Sequence, residues 1–145
     1  HPPMLDEVGL TSAIRWYTKG FTERSGIKVD LKLPANLGRL PSEVETALFR
    51  VVQEALTNIH RHSGSRTARI RMSHDAVGVT LTVEDQGHGL PPTLRELPDA
   101  SIAGLGVGIA GMRERLRQLG GWLEIRSGDR GTLVKANMPI VKGDA

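Results

Sequence analysis

Three short stretches of this chain carry residue types that could handle a phosphorylated ligand. In the first, Glu54, Asn58 and His62 recur every four residues with Arg61 beside them, so on a helix they line one flank. Polar residues next to a buried stripe often mark only its boundary with water. Here they combine one acid, one amide oxygen and two bases. An amide oxygen together with phosphates and waters suits Mg2+, which seldom takes an all-protein cage. The bases could then meet phosphate charge.

The second stretch, Asp85-Gln86-Gly87-His88-Gly89, follows a run that is apolar at Val77, Val79, Leu81 and Val83. Such an Asp can simply make a turn. On a pocket floor, its carboxylate can also accept a hydrogen bond from an exocyclic amine. Gly87 and Gly89 would let a flat base approach the backbone. The third stretch, Gly104-Leu105-Gly106-Val107-Gly108, lies where a long loop meets a helix. Exposed amides and the positive end of the helix dipole make such a junction a phosphate site, and a flexible hinge is the plain alternative. Gly131-Thr132 opens the last strand, and its hydroxyl bears on chemistry only if that strand lies beside Asp85.

Several familiar phosphate-binding patterns are excluded. Gly106-Val107-Gly108-Ile109-Ala110-Gly111 fits G-x-G-x-x-G, but that fingerprint needs a strand directly before it and a βαβ unit around it. A Pro-rich loop stands there instead. The chain has no G-x-x-x-x-G-K-[ST] and no His-Arg-Asp loop, so it is neither a P-loop ATPase nor an ordinary Ser/Thr/Tyr kinase.

The elements that must position these residues follow from periodicity. Asp6 to Arg24 has helical spacing, ended by Gly26, and Ile27 to Leu33 alternates as a half-buried strand does. After a loop from Pro34 to Pro41, Ser42 and Glu45 have the spacing of a capping box. The helix they begin should reach about His62, with Gly64 closing it. Strands are expected near Ala68–Ser73 and Val77–Glu84, then a long loop over Gln86–Gly106. A helix near Val107–Leu119 and two strands near Trp122–Ser127 and Thr132–Pro139 complete the chain, with a tight turn at Gly128–Gly131. Adjacent strand pairs rule out a doubly wound parallel sheet. The expected fold is α+β, a two-layer sandwich whose mixed, mostly antiparallel sheet is covered on one face by about three helices.

At 145 residues the chain suffices for one domain. It contains no cysteine, which excludes disulfides, zinc-thiolate sites and thiol catalysis. The net charge of +3 invites a nucleic-acid reading, but the bases are scattered. Arg69 and Arg71 alternate with Ile70 and Met72, while Arg113 and Arg117 are four apart on a helix. With aromatics at 3%, no stacking platform accompanies the charge. No direct nucleic-acid partner is expected. The start His1-Pro2-Pro3, without Met, reads as a piece of something longer.

In this order and spacing, the motifs resemble those of the GHKL ATPases. Val52 to Ser63 resembles their N box, Asp85 to Leu90 the first glycine box, Gly104 to Gly108 the second, and Gly131-Thr132 the late adenine-site threonine. The detail is similar to the catalytic domain of bacterial sensor histidine kinases. Gly108-Ile109-Ala110-Gly111-Met112-Arg113-Glu114-Arg115 and His1 to Leu10 resemble the subfamily paired with helix-turn-helix response regulators. Leu90 to Ala103 contains no Phe, so the phenylalanine box of larger subfamilies is absent.

The resemblance implies Mg-ATP as ligand. Asn58 would hold Mg2+, and Asp85 would accept the adenine amine, assisted through water by Thr132. Gly87 and Gly89 would shape the base pocket. Gly104, Leu105, Gly106, Val107 and Gly108 would cradle phosphates, with Arg61 and His62 near the phosphate tail. Glu54 would face the incoming phosphoacceptor. Residues 1–10 would end a dimerisation and phosphoacceptor region, with the ATP-binding domain at 11–145. The phosphoacceptor histidine would lie outside this chain, in a homodimeric parent whose cytoplasmic part this is, membrane-anchored or not. The same boxes occur in serine kinases of the anti-sigma-factor type and in non-catalytic nucleotide sensors.

Overall fold

A computed structural model describes residues 3–87 and 107–140. In chain order these form α1 (Pro3–Val8), α2 (Leu10–Ser25), β1 (Lys28–Lys32) and α3 (Ser42–Asn58), which a π-helical turn (Ile59–Ser63) extends. β2 (Thr67–His74), β3 (Gly78–Asp85), α4 (Val107–Gln118), β4 (Trp122–Gly128) and β5 (Gly131–Pro139) follow. The strands form a sheet ordered β1-β2-β3-β5-β4. β1 and β2 are parallel, and every other neighbouring pair is antiparallel. This is the expected α+β sandwich with a mixed, mostly antiparallel sheet.

Alternation along the strands decides which face is covered. Ile70 and Met72 on β2, Val79, Leu81 and Val83 on β3, and Val134, Ala136 and Met138 on β5 are all buried. Their neighbours on the other face are polar, including Arg69, Thr80, Thr82 and Lys135. α3 packs its Leu48, Val52, Ala55 and Leu56 against the inner face, joined by Ile14 and Phe21 of α2 and Ile109 and Leu116 of α4. Aromatics contribute sparingly, as in the edge-on contact of Tyr17 with Phe49 at 5.7 Å between centroids.

Three local expectations need correction. The first helix divides at Gly9, whose φ of 86° an L-residue rarely adopts. Leu5 and Leu10, on either side of that glycine, are buried in the same core as α3. α3 does not begin with a capping box, because Pro41 occupies the N-cap and no side chain caps the helix. Glu45 is instead turned inward, 1% exposed. It accepts hydrogen bonds from Arg39 Nε at 3.1 Å and Nη2 at 2.9 Å, and from the Leu40 amide at 3.4 Å. A buried carboxylate needs a paired cation more than a helix end needs a reciprocal cap. The same Arg39 Nη2 reaches the Leu5 carbonyl at 3.5 Å, tying α1 to the start of α3. The hydrogen bond to Glu45 first, and its charge second, hold the Arg39 guanidinium above its ordinary pKa. Third, α-helical geometry ends at Asn58, and the turn after it is π-helical until Gly64 closes it at φ 72°.

Replacing Glu45 with Ala should lower the unfolding free energy by roughly 1–3 kcal/mol, because the Leu40 amide and the Arg39 guanidinium lose their shared acceptor. Glu45→Gln should cost less. A urea midpoint unchanged by Glu45→Ala would show that the clasp adds nothing.

Candidate functional site

The inward series of β3 does not stop with its hydrophobic residues. Val79, Leu81 and Val83 are followed on the same face by Asp85, which is 7% exposed. The register pairs Glu84 with Leu133, so one further step sets Asp85 across from Thr132. Thr132 shares its face with buried Val134 and Ala136. The condition attached to the threonine, that its strand lie beside Asp85, is therefore met. The strands meet closely there: a Cβ on Gly131, whose φ is 131°, would collide with the Asp85 carbonyl oxygen.

The chain leaving β3 is stitched to the end of α3. Asp85 Oδ1 accepts the Gly87 amide at 2.8 Å, so the plain turn reading of this Asp is realised. It does not displace the other, since a carboxylate has lone pairs for several donors. The Gln86 amide donates to Ser65 Oγ at 3.2 Å. A Cβ on Gly87 would strike the Ser63 carbonyl oxygen, which makes glycine the only residue that lets the two segments touch.

A second group gathers between α3 and α4. Asn58 Nδ2 donates to the Glu54 carbonyl at 2.9 Å, which commits the donor end of the amide to the helix and leaves its oxygen as the end it presents. The Glu54 carboxylate has Arg50 Nη2 at 3.8 Å and lies where a Cβ on Gly108 would be. Gly108 belongs to the first turn of α4, where unsatisfied amides favour negative charge. Arg61 and His62 are exposed on the π turn. The spacing of four therefore aligns Glu54 with Asn58 and stops there, because the π turn changes the rotation per residue. Val107 is the first residue of α4. His88, Gly89, Gly104, Leu105 and Gly106 lie outside the described residues.

Three serines to which the motifs assign no role hold this site together. Buried Ser63 donates to the Ile59 carbonyl at 2.9 Å and accepts the Ser65 amide at 3.0 Å. Ser65 holds Gln86, and Ser127 Oγ lies 2.9 Å from Thr132 Oγ1. The hydroxyls flanking Gly64 were a legible sign of a bonded helix end. Ser127 becomes visible only through the register of the β4–β5 hairpin. A cleft of about 550 Å3 opens at this end of the sheet, with Asp85, Ser127, Gly131 and Thr132 in its walls. Another, of about 310 Å3, lies at the opposite end beside Trp122 and contains none of the expected site residues.

Residues 43–142 match the model of the histidine kinase-, DNA gyrase B- and HSP90-like ATPases. The chain belongs to that family. Among curated relatives of this ATPase domain, sensor histidine kinase MctS of Rhizobium johnstonii is 34% identical over 95% of the chain and 29% of its own length. Signal transduction histidine-protein kinase/phosphatase DegS of Brevibacillus brevis is 36% identical over 94% of the chain and 34% of its own length. The chain thus spans about a third of these relatives. The histidine kinase domain of the Erythrobacter litoralis EL346 blue-light activated histidine kinase superposes with a TM-score of 0.73 at 23% identity, covering 90% of this chain and 61% of that one. The mycobacterial sensor histidine kinase MprB gives 0.65 at 22% identity, over 90% and 95%. These two structures share the fold of this ATPase domain. Among the described residues, no helix is long and apolar enough to cross a membrane.

The close approach at Gly131 separates two Gly→Ala substitutions. Gly131→Ala, which combines a backbone collision with a positive φ, should destabilise the domain by about 1–3 kcal/mol. Gly111→Ala adds a Cβ that meets nothing within 4 Å on an exposed part of α4 and should stabilise by about 0.5–1 kcal/mol. Thermal melts showing the opposite order would refute the packing at the β3–β5 end.

Proposed function

We propose that this domain binds Mg-ATP between α3 and the adjoining ends of β3 and β5, and that it presents the γ-phosphate to a histidine on a separate dimerisation domain. Residues 1–10 would be the end of that phosphoacceptor region and 11–145 the ATP-binding domain. The phosphate would pass on to a response regulator of the helix-turn-helix DNA-binding type, in a homodimeric parent protein whose cytoplasmic part contains this domain. One observation carries the reading: Asp85, buried beneath the helix layer, stands across the β3–β5 register from Thr132. Family membership and relatives named as sensor histidine kinases support it.

The residues present fit such a ligand. Asp85 is an acceptor suited to the exocyclic amine of adenine, with Thr132 offering a hydroxyl through water. Gly87 and Gly89 would keep the backbone close to the base. Gly104, Leu105, Gly106, Val107 and Gly108 would bring amides to the phosphates at the start of α4. Asn58 would offer its amide oxygen to Mg2+, and Arg61 and His62 would balance charge on the phosphate tail. Mg-ATP, when bound, would supply the transferable phosphoryl group and part of the neutralisation of its charge. Glu54 would orient the incoming histidine and take up its proton. Such transfer depends on positioning and electrostatics, so no covalent step falls to this domain.

Asp85→Asn turns one acceptor into a donor facing the adenine amine. ATP affinity in calorimetry should drop roughly 10- to 150-fold, the worth of a hydrogen bond to a charged group; unchanged affinity would remove Asp85 from the base pocket. For the transfer itself, the chain should be mixed with its phosphoacceptor domain and labelled ATP. Acid-labile label on that domain, with none on this chain alone, is the expected result. Acid-stable phosphoserine would assign the serine-kinase type, and binding without transfer would assign a nucleotide sensor.

A further inference from the structure

The last rung on the helix-covered side of the sheet is polar across three strands. Ser127 pairs with Thr132 in the β4–β5 register. Asp85 lies across from Thr132 on the other side and pairs in turn with Ala68 of β2. The Ser127 and Thr132 hydroxyls are 2.9 Å apart, half-buried, and either can donate to the other. The Asp129-Arg130 turn directly beyond, closed by the Gly128–Gly131 pair, holds the two hydroxyls at a fixed separation. Cross-strand pairs of this kind ordinarily add only a little to sheet stability. This one adjoins the carboxylate read here as the adenine acceptor.

The direction of that hydrogen bond has a chemical consequence. Adenine presents a donor, its exocyclic amine, next to an acceptor, the adjacent ring nitrogen. A site for that edge needs an acceptor and a donor side by side. Asp85 is the acceptor. A hydroxyl has a single proton, so Thr132 can donate toward the base, directly or through a water, only if that proton is not spent on Ser127. Guanine reverses the edge, with an oxygen acceptor beside a ring N–H donor, and meets the wrong partner at both positions.

We propose that Ser127 is a specificity-determining positioning residue that acts through Thr132. The Ser127 hydroxyl donates to Thr132 Oγ1, releases the Thr132 proton toward the base, and thereby sets the donor sense that separates adenine from guanine nucleotides. Without Ser127 the Thr132 hydroxyl turns freely and accepts from a guanine ring N–H as readily as it donates to adenine. This inference rests on the reading of Asp85 and Thr132 as the base pocket.

The test measures ATP and GTP affinities by calorimetry on the 145-residue chain, wild type and variants, with melting temperatures alongside. Ser127→Ala should weaken ATP about 3- to 10-fold, the range of one net hydrogen bond, while GTP affinity stays level or rises. Ser127→Thr, which keeps the hydroxyl on a residue suited to strands, should restore the ATP preference. ATP and GTP falling together, or an unchanged ATP/GTP ratio in Ser127→Ala, would overturn the proposal. Wild type and Asp85→Asn separate the two levels: a wild type with no ATP preference sinks the base-pocket reading itself. An ATP preference that depends on Asp85 but not on Ser127 sinks only the role given to Ser127.

Discussion

At the end of β3 a carboxylate occupies a position that the alternation of the strand assigns to the core. Val79, Leu81 and Val83 meet the helices, and Asp85 is the next residue on that face, 7% exposed. A charge so placed is costly unless hydrogen-bonded. The surrounding chain is built around that demand. The Gly87 amide reaches back to Asp85 Oδ1 at 2.8 Å, β5 brings Thr132 opposite, and Gly131 lets the two backbones approach. The serines after α3 hold the departing chain against the helix end. Without these glycines and hydroxyls the segment could not close over the carboxylate. A polar floor beneath an otherwise aliphatic layer is thus a consequence of strand register.

The helix above has a comparable division of labour. One stripe of α3, including Leu48, Val52 and Leu56, joins the core. The adjacent flank carries Glu54 and Asn58 toward the first turn of α4, where the carboxylate lies against Gly108. In the proposed function, base recognition and phosphate chemistry would lie at opposite ends of a continuous arrangement, one set by the sheet and the other by two helix termini. In that function these side chains would bind, orient and balance charge. That suits the proposed role as one half of a phosphotransfer reaction.

Much of this was legible from residue order, because the strongest signals are periodic. The alternation of β3 places that strand to within one residue, and the apolar stripe of α3 places its start at Ser42 but carries its α-helical end four residues too far. What escaped was decided by tertiary competition. Glu45 has the spacing of a cap, yet Arg39 draws it into a buried pair. The flank of Glu54, Asn58 and His62 looks continuous until the π turn after Asn58 shifts its phase. Gly9 gave no sign of dividing a helix, since an isolated glycine within a helical pattern is usually tolerated. Ser127 lies outside every motif, and only the hairpin register brings it to Thr132.

In the proposed site, α3, the end of β3 and the start of β5 together hold Mg-ATP. Amide hydrogen exchange with and without Mg-ATP would reveal such a site, since ligand binding slows exchange where backbone opening would break contacts. Protection should appear together over residues 54–65, 85–87 and 127–132, and be absent around Val77 and Trp122 at the far end of the sheet. Protection confined to that far end, or to only one of the three segments, would be incompatible with a single site spanning all three.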